Sequence, residues 1–232
     1  MKYIPFIAIL LFATACNQIK GSGHIITESR NVSPFASVKV SNSINVDVQQ
    51  GATAYVLVEG DDNVIKYVQT KVENGKLIIG YDGGHNFSRV TINVHVTSPA
   101  LNGFEASSSA DITGNGQIIS ASKIDVDASS SASINLKLDA PFVNVDASSS
   151  ADVTIAGRAK EVSSKASSSA DIDMFGLLAE TATATASSSA TINIFASVKL
   201  NATANSSGDI NYTGGVKEVN ISVSSSGSVE PK

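Results

Sequence analysis

A seven-residue phrase, Ala-Ser-Ser-Ser-Ala-Asp-Ile, returns seven times in loosened form, beginning at Ala106, Ala128, Ala147, Ala166, Ala186, Ala204 and Val223. Successive copies lie 22, 19, 19, 20, 18 and 19 residues apart. Such a period is too short for a pair of helices. It suits one coil of a β-solenoid, in which each coil hides its apolar side only by stacking on its neighbours. Aromatic residues make up 6% of the chain and Trp is absent, a composition that by itself suggests a weak core. The order of the residues says otherwise.

From Ile124 to Leu138 the residues Ile124, Val126, Ala128, Ala132, Ile134, Leu136 and Leu138 share one parity, and Asp125, Asp127, Ser129, Ser133, Asn135 and Lys137 the other. Side chains alternate across an extended strand, so this pattern gives each coil one buried face, and a one-residue slip would turn every apolar group outward. The expected fold is therefore all-β: a parallel β-helix of about seven coils of 18–22 residues. Right-handed winding is favoured by the general preference of parallel crossovers. Turn-forming clusters mark the returns at Gly114-Asn115-Gly116, Asp139-Ala140-Pro141, Gly157-Arg158-Ala159-Lys160 and Gly214-Gly215. The wider first step places a longer loop around residues 116–122.

Parity also sorts the serines. The middle Ser of each triplet (Ser108, Ser130, Ser149, Ser168, Ser188, Ser206 and Ser225) falls on the inward side, beside small Ala or Gly, and is expected as a structural column where the walls approach. Seven equivalent copies with no His nearby cannot form an activated nucleophile. The outer serines, such as Ser148 and Ser150, should form ladders along the stack. Farther along each strand an outward column runs Asp111, Ser133, Asp152, Asp171, Thr191, Asp209 and Ser228. Its four acids, Asp111, Asp152, Asp171 and Asp209, are the candidate binding face, read as a solvated acidic stripe rather than a cation site. A further column, Glu105, Asp127, Asp146 and Lys165, reads as ordinary surface.

Ahead of the repeats, residues 24–103 read as an N-terminal β-rich cap with one degenerate coil, and 104–232 as the solenoid. Val38, Val40, Ile44, Val46 and Val48 continue the alternation, so the stretch from Ser37 to Gln50 is that coil. Strands are expected over residues 55–59 and 89–96, with a hairpin turned by Asn74-Gly75. Asp61-Asp62-Asn63 can cap a short helix.

Residues 1–15 read as a lipoprotein signal peptide: Lys2, an apolar run from Ile4 to Phe12, then Ala13-Thr14-Ala15. The run is too short to span a bilayer. Cys16, the sole cysteine, follows directly and is the expected lipidation site, with residues 16–23 as lipidated end and tether. Anchoring to the outer membrane is expected, because Asn17 is not the Asp associated with inner-membrane retention. Net charge is −5 with no basic cluster, which argues against nucleic acid as a partner. His24, His85 and His95 are scattered, so neither a metal site nor a cofactor is expected.

Several elements recur together: Pro34-Phe35 leading into Val38-Lys39-Val40, Val46-Asp47-Val48 before Gln50-Gly51, Leu77-Ile78-Ile79, Thr97-Ser98-Pro99-Ala100-Leu101, and the small-residue repeat before Asp and Ile or Val. On these elements the chain resembles the putative auto-transporter adhesin, head GIN-domain family of Bacteroidetes-type lipoproteins across residues 31–230. The resemblance implies a β-helical, adhesive protein and supplies no catalytic residues. The expected function is a non-enzymatic, lipid-anchored envelope protein whose repetitive surface binds a glycan or an envelope or host-surface component. The alternatives are a polysaccharide-active β-helix lyase or hydrolase, which needs converging acids in a cleft, and a purely structural spacer.

Overall fold

The computed structural model describes residues 18–232; the expected signal peptide and Cys16 lie outside the described residues. The chain begins with β1 (Gln18–Lys20) and β2 (Ile25–Arg30), then makes a first coil from β3 (Ser37–Val40) and β4 (Asn45–Gln50). Cap strands follow: β5 (Tyr55–Asp61), β6 (Val68–Glu73), β7 (Lys76–Tyr81), β8 (Asn86–Ser88) and β9 (Ile92–Ser98). Seven repeat coils then run through β10 (Gly103–Ala106), β11 (Asp111–Ile119), β12 (Ile124–Ser129), β13 (Ser133–Ser148), β14 (Asp152–Ser167) and β15 (Asp171–Met174). They finish with β16 (Leu177–Ala186), β17 (Thr191–Phe195), β18 (Lys199–Ala204), β19 (Asp209–Thr213), β20 (Glu218–Val223) and β21 (Ser228–Pro231). The expected all-β solenoid is what forms.

Two parallel ladders build the walls. The first runs β3, β10, β12, the second half of β13, the second half of β14, β16, β18 and β20. The second runs β4, β11, the first halves of β13 and β14, then β15, β17, β19 and β21. Each repeat is in register with the next: Ala128 faces Ala147, and Ala147 faces Ala166. Between the walls, Ile, Val and Leu fill the wide side of the core (Ile134, Leu136, Leu138, Val153, Ile155), while Ala106, Ala110, Ala128 and Ala132 line it at the corners. The side-chain sizes thus set a wedge, thin at the serine corner.

The serine corner overturns the inward column. Ser108, Ser130, Ser149, Ser168, Ser188, Ser206 and Ser225 are exposed. Each has φ between 47° and 55°, and each following Ser has φ between 59° and 63°. Two consecutive left-handed residues are the backbone of a type I′ turn, closed here by bonds such as Ala110 N–H to the Ser107 carbonyl at 3.3 Å. The turn consumes two residues outside the alternation, so parity resumes correctly at Ala110 although Ser108 points out. A backbone spine follows the corner: the amide of Ser109 donates to the Ser130 carbonyl, Ser131 to Ser149, Ser150 to Ser168 and Ser169 to Ser188, each at 3.0 Å.

The cap departs from sequence order. β7 pairs with β3 and β9 with β4, so the first coil lies between these cap strands and the repeats that follow them in sequence. Antiparallel strands then close each wall, β6 on β7 and β5 followed by β2 on β9. The Asn74-Gly75 hairpin forms, with both residues at positive φ. The expected helix is reduced to a single 3-10 turn at Ile65–Tyr67 without a side-chain cap. Gln18–Lys20, expected within the tether, instead pairs with Asn86–Ser88. Just after it, the buried Asp61 carboxylate accepts from the amides of Gly23 at 2.6 Å and Thr91 at 2.8 Å. The returns at Asp139-Ala140-Pro141 and Gly157 are bends inside the long strands β13 and β14 rather than loops. Of the three extra residues of the first step, two are absorbed as a bulge between Thr113 and Gln117 and the third in the link from Ile119 to Ile124.

Candidate binding faces

The outward residues of both walls are ordered by the same register that orders the core. On the second wall Asn45, Asp111, Ser133, Asp152, Asp171, Thr191, Asp209 and Ser228 stand in one line. Asp111, Asp152, Asp171 and Asp209 are all exposed. Asp152 and Asp171 are direct neighbours, whereas Ser133 separates Asp111 from Asp152 and Thr191 separates Asp171 from Asp209. At coil spacings of about 4.8 Å the hydroxyl residues double the separation for the Asp111–Asp152 and Asp171–Asp209 pairs and leave Asp152 and Asp171 adjacent. At its cap end Asp111 borders a shallow hollow with Asn45, Asp47, Asn93 and Asn135, where His95 Nδ1 lies 3.1 Å from Asp47.

The first wall carries the more perturbed charges. Glu105, Asp127, Asp146 and Lys165 are consecutive in register. They line an open groove of about 650 Å³ together with Ser107, Ser129, Ser148 and Ser167. Burial alone would raise the Glu105 pKa, but hydrogen bonds from Lys39 and from Lys76, the latter at 2.7 Å, outweigh it and hold the carboxyl below its ordinary value. Asp127 is pushed the other way, first by loss of solvent and then by the charges of Asp146, Glu105 and Asp125. Bands of charge result: lysines at the cap, three acids, then Lys165. Parity placed all four residues on the surface, but only the cap strand β7, stacked beneath β3, brings Lys76 to Glu105. The run of charged residues at one position of each coil, with Lys39 and Lys165 flanking Glu105, Asp127 and Asp146, was the legible signal.

The serines divide between these features. Ser107, Ser129, Ser148 and Ser167 edge the groove, while Ser150, Ser169 and Ser189 are the second residues of the corner turns. Among the described residues no group of three His, Cys, Asp or Glu side chains is placed to hold a metal ion. The hollows are open and elongated, suited to laying an extended polar ligand against the wall by repeated hydrogen bonds.

Fold and surface together define a capped parallel β-solenoid that displays repeated polar columns. The chain belongs to the family described as putative auto-transporter adhesin, head GIN domain, which matches residues 34–216. A crystal structure of a putative adhesin from Bacteroides fragilis NCTC 9343 superposes with a TM-score of 0.87 at 20% identity, covering 92% of this chain and 100% of that one. One from Parabacteroides merdae ATCC 43184, also described as a putative adhesin, gives 0.76 at 21% identity over 93% and 99% of the two chains. A putative lipid binding protein from Parabacteroides distasonis ATCC 8503 gives 0.75 at 21% identity, again over 93% and 99%. At these identities the likeness establishes the shared fold. No curated protein matches the sequence.

Proposed function

We propose that this chain is a non-enzymatic envelope protein, anchored in the outer membrane by lipid on Cys16, that binds a glycan or another envelope or host-surface component along its walls. The observation that carries the reading is the strict outward register, with Asp111, Asp152, Asp171 and Asp209 on one wall. Equivalent groups one coil apart favour many weak contacts over one anchoring pocket. The family's adhesin description supports the same reading. Anchoring is supported by the signal-like residues 1–15 ahead of Cys16. Gln18 already belongs to the fold, so two residues at roughly 3.5 Å each would hold the cap against the membrane.

The test starts from a screen of glycans and envelope fractions against the chain from residue 16 carrying Cys16→Ala. With a ligand in hand, Asp111, Asp152, Asp171 and Asp209 are changed to Asn singly and together. Graded losses support a repeated face on this wall. Unchanged binding moves the face to the Glu105–Lys165 groove, and complete loss from one substitution with the fold intact points to a discrete, enzyme-like site.

A further inference from the structure

The two ends of the stack are unlike. At the cap end antiparallel strands finish both walls, and Val56, Val58, Val64, Ile65 and Val68 are buried beneath them. At the other end β20 and β21 have no strand beyond them among the described residues. Their inward positions continue the core columns, with Val219 on Leu200, Ile221 on Ala202 and Val223 on Ala204. Yet these three side chains are 36%, 48% and 48% exposed. An open coil end leaves two rows of unpaired backbone groups around an apolar strip, the arrangement that terminal capping normally removes.

We propose that this end docks against the same end of a second copy of the chain, with β20 antiparallel to β20 and β21 antiparallel to β21 of the second copy. The occupant has to offer two free strand edges with an apolar strip between them. Among the described residues only this end offers both, because the strip at the cap end is covered. A two-fold axis through both walls keeps the apolar side of every strand inward. Antiparallel addition to these same two walls is already what closes the cap end. Charge permits the self-contact, since Glu218 is held by Lys199 at 2.7 Å and Glu230 by Lys232 at 3.0 Å, which neutralises the acids of the terminal coil.

The contact is small. A six-residue edge is about 20 Å long and packed walls lie about 10 Å apart, so each copy covers only a few hundred Å². That is below the roughly 1,200 Å² of total burial typical of stable complexes. Isolated copies therefore pair weakly.

Sedimentation equilibrium of the Cys16→Ala chain from about 10 μM to about 1 mM spans the weak range that such a contact implies. The expected result is a reversible dimer at the upper concentrations, weakened at least about tenfold by Ile221→Lys at the centre of the contact. With Ile221 on the two-fold axis the two copies of residue 222 lie about 8 Å apart, beyond disulfide reach. Ser222→Cys, on β20, should therefore cross-link two copies through a short bis-maleimide, while Thr203→Cys, one coil inward, and Lys71→Cys, on the cap edge, should not. The cross-linking arm decides the matter if Ile221→Lys loosens the terminal coil, as judged by circular dichroism. A folded monomer at every concentration with no Ser222→Cys cross-link overturns the proposal, as does a dimer that cross-links through Lys71→Cys instead.

Discussion

Ser149 separates the parity reading from the corner geometry by the sign of a stability change. Its φ is 55°, and that of Ser150 is 59°. A residue with a Cβ pays about 1–2 kcal/mol in this region. Glycine is free of that cost but loses about 0.5–1 kcal/mol more backbone entropy on folding. Ser149→Gly should therefore stabilise the protein by about 0.5–1 kcal/mol. For a chain of this size that corresponds to a rise in Tm of about 1–4 °C. Ser149→Val should do the reverse, losing about 1–2 kcal/mol, because a β-branched side chain at positive φ is a steric outlier. Were Ser149 inward, in a column where the walls approach, Val would overpack and Gly would leave a void, so both would destabilise. Thermal melts of the two variants beside wild type suffice, with the sign of the glycine change deciding. A destabilised Ser149→Gly would refute the corner assignment.

Other variants probe separate parts of the argument. Gly157 has φ 120°, and a Cβ there would lie 1.9 Å from the Leu138 carbonyl oxygen, so Gly157→Ala should cost about 3 kcal/mol or more in denaturant unfolding. Asp61→Ala strands the amides of Gly23 and Thr91 and should cost about 2–4 kcal/mol, with faster hydrogen exchange confined to residues 18–30 and 88–92 if the carboxylate acts as a local clasp. Because the folded pKa of Asp127 is raised from 3.8, its contribution to stability is present below that value and falls as pH rises through the folded one. Asp127→Asn should therefore stabilise the protein at pH 7, and the gain should vanish in melts taken well below pH 3.8. Metabolic labelling with a fatty-acid analogue should mark wild type and spare Cys16→Ala; equal labelling of both would remove the anchor from the proposed function.

The repeat determined the coil, its period and its buried face, because alternation along one strand is a local property and identical neighbours can satisfy it only by stacking in register. That is why Ile124, Val126, Ile134 and Leu136 were legible as core. The Asp111 to Ser228 line was legible for the same reason, since it needs only parity and the period. The corner was not, because two left-handed serines restore the parity they interrupt, and exposed and inward placements of Ser149 leave the rest of the pattern unchanged. Gly157 illustrates the same limit: a glycine that reads as a turn serves instead to let two backbones approach within a continuous strand. The cap needed the tertiary structure most. Strands of similar composition can pair in many orders, and nothing local in Leu77-Ile78-Ile79 or Val94-His95-Val96 says that they lie beneath Val38 and Val46. That layering, set by long-range pairing and closure of the core, brings Lys76 to Glu105 and fixes the charge pattern of the groove. The sequence alone decided the apolar face that each coil buries; the tertiary structure decided the serine corner and what the stack presents.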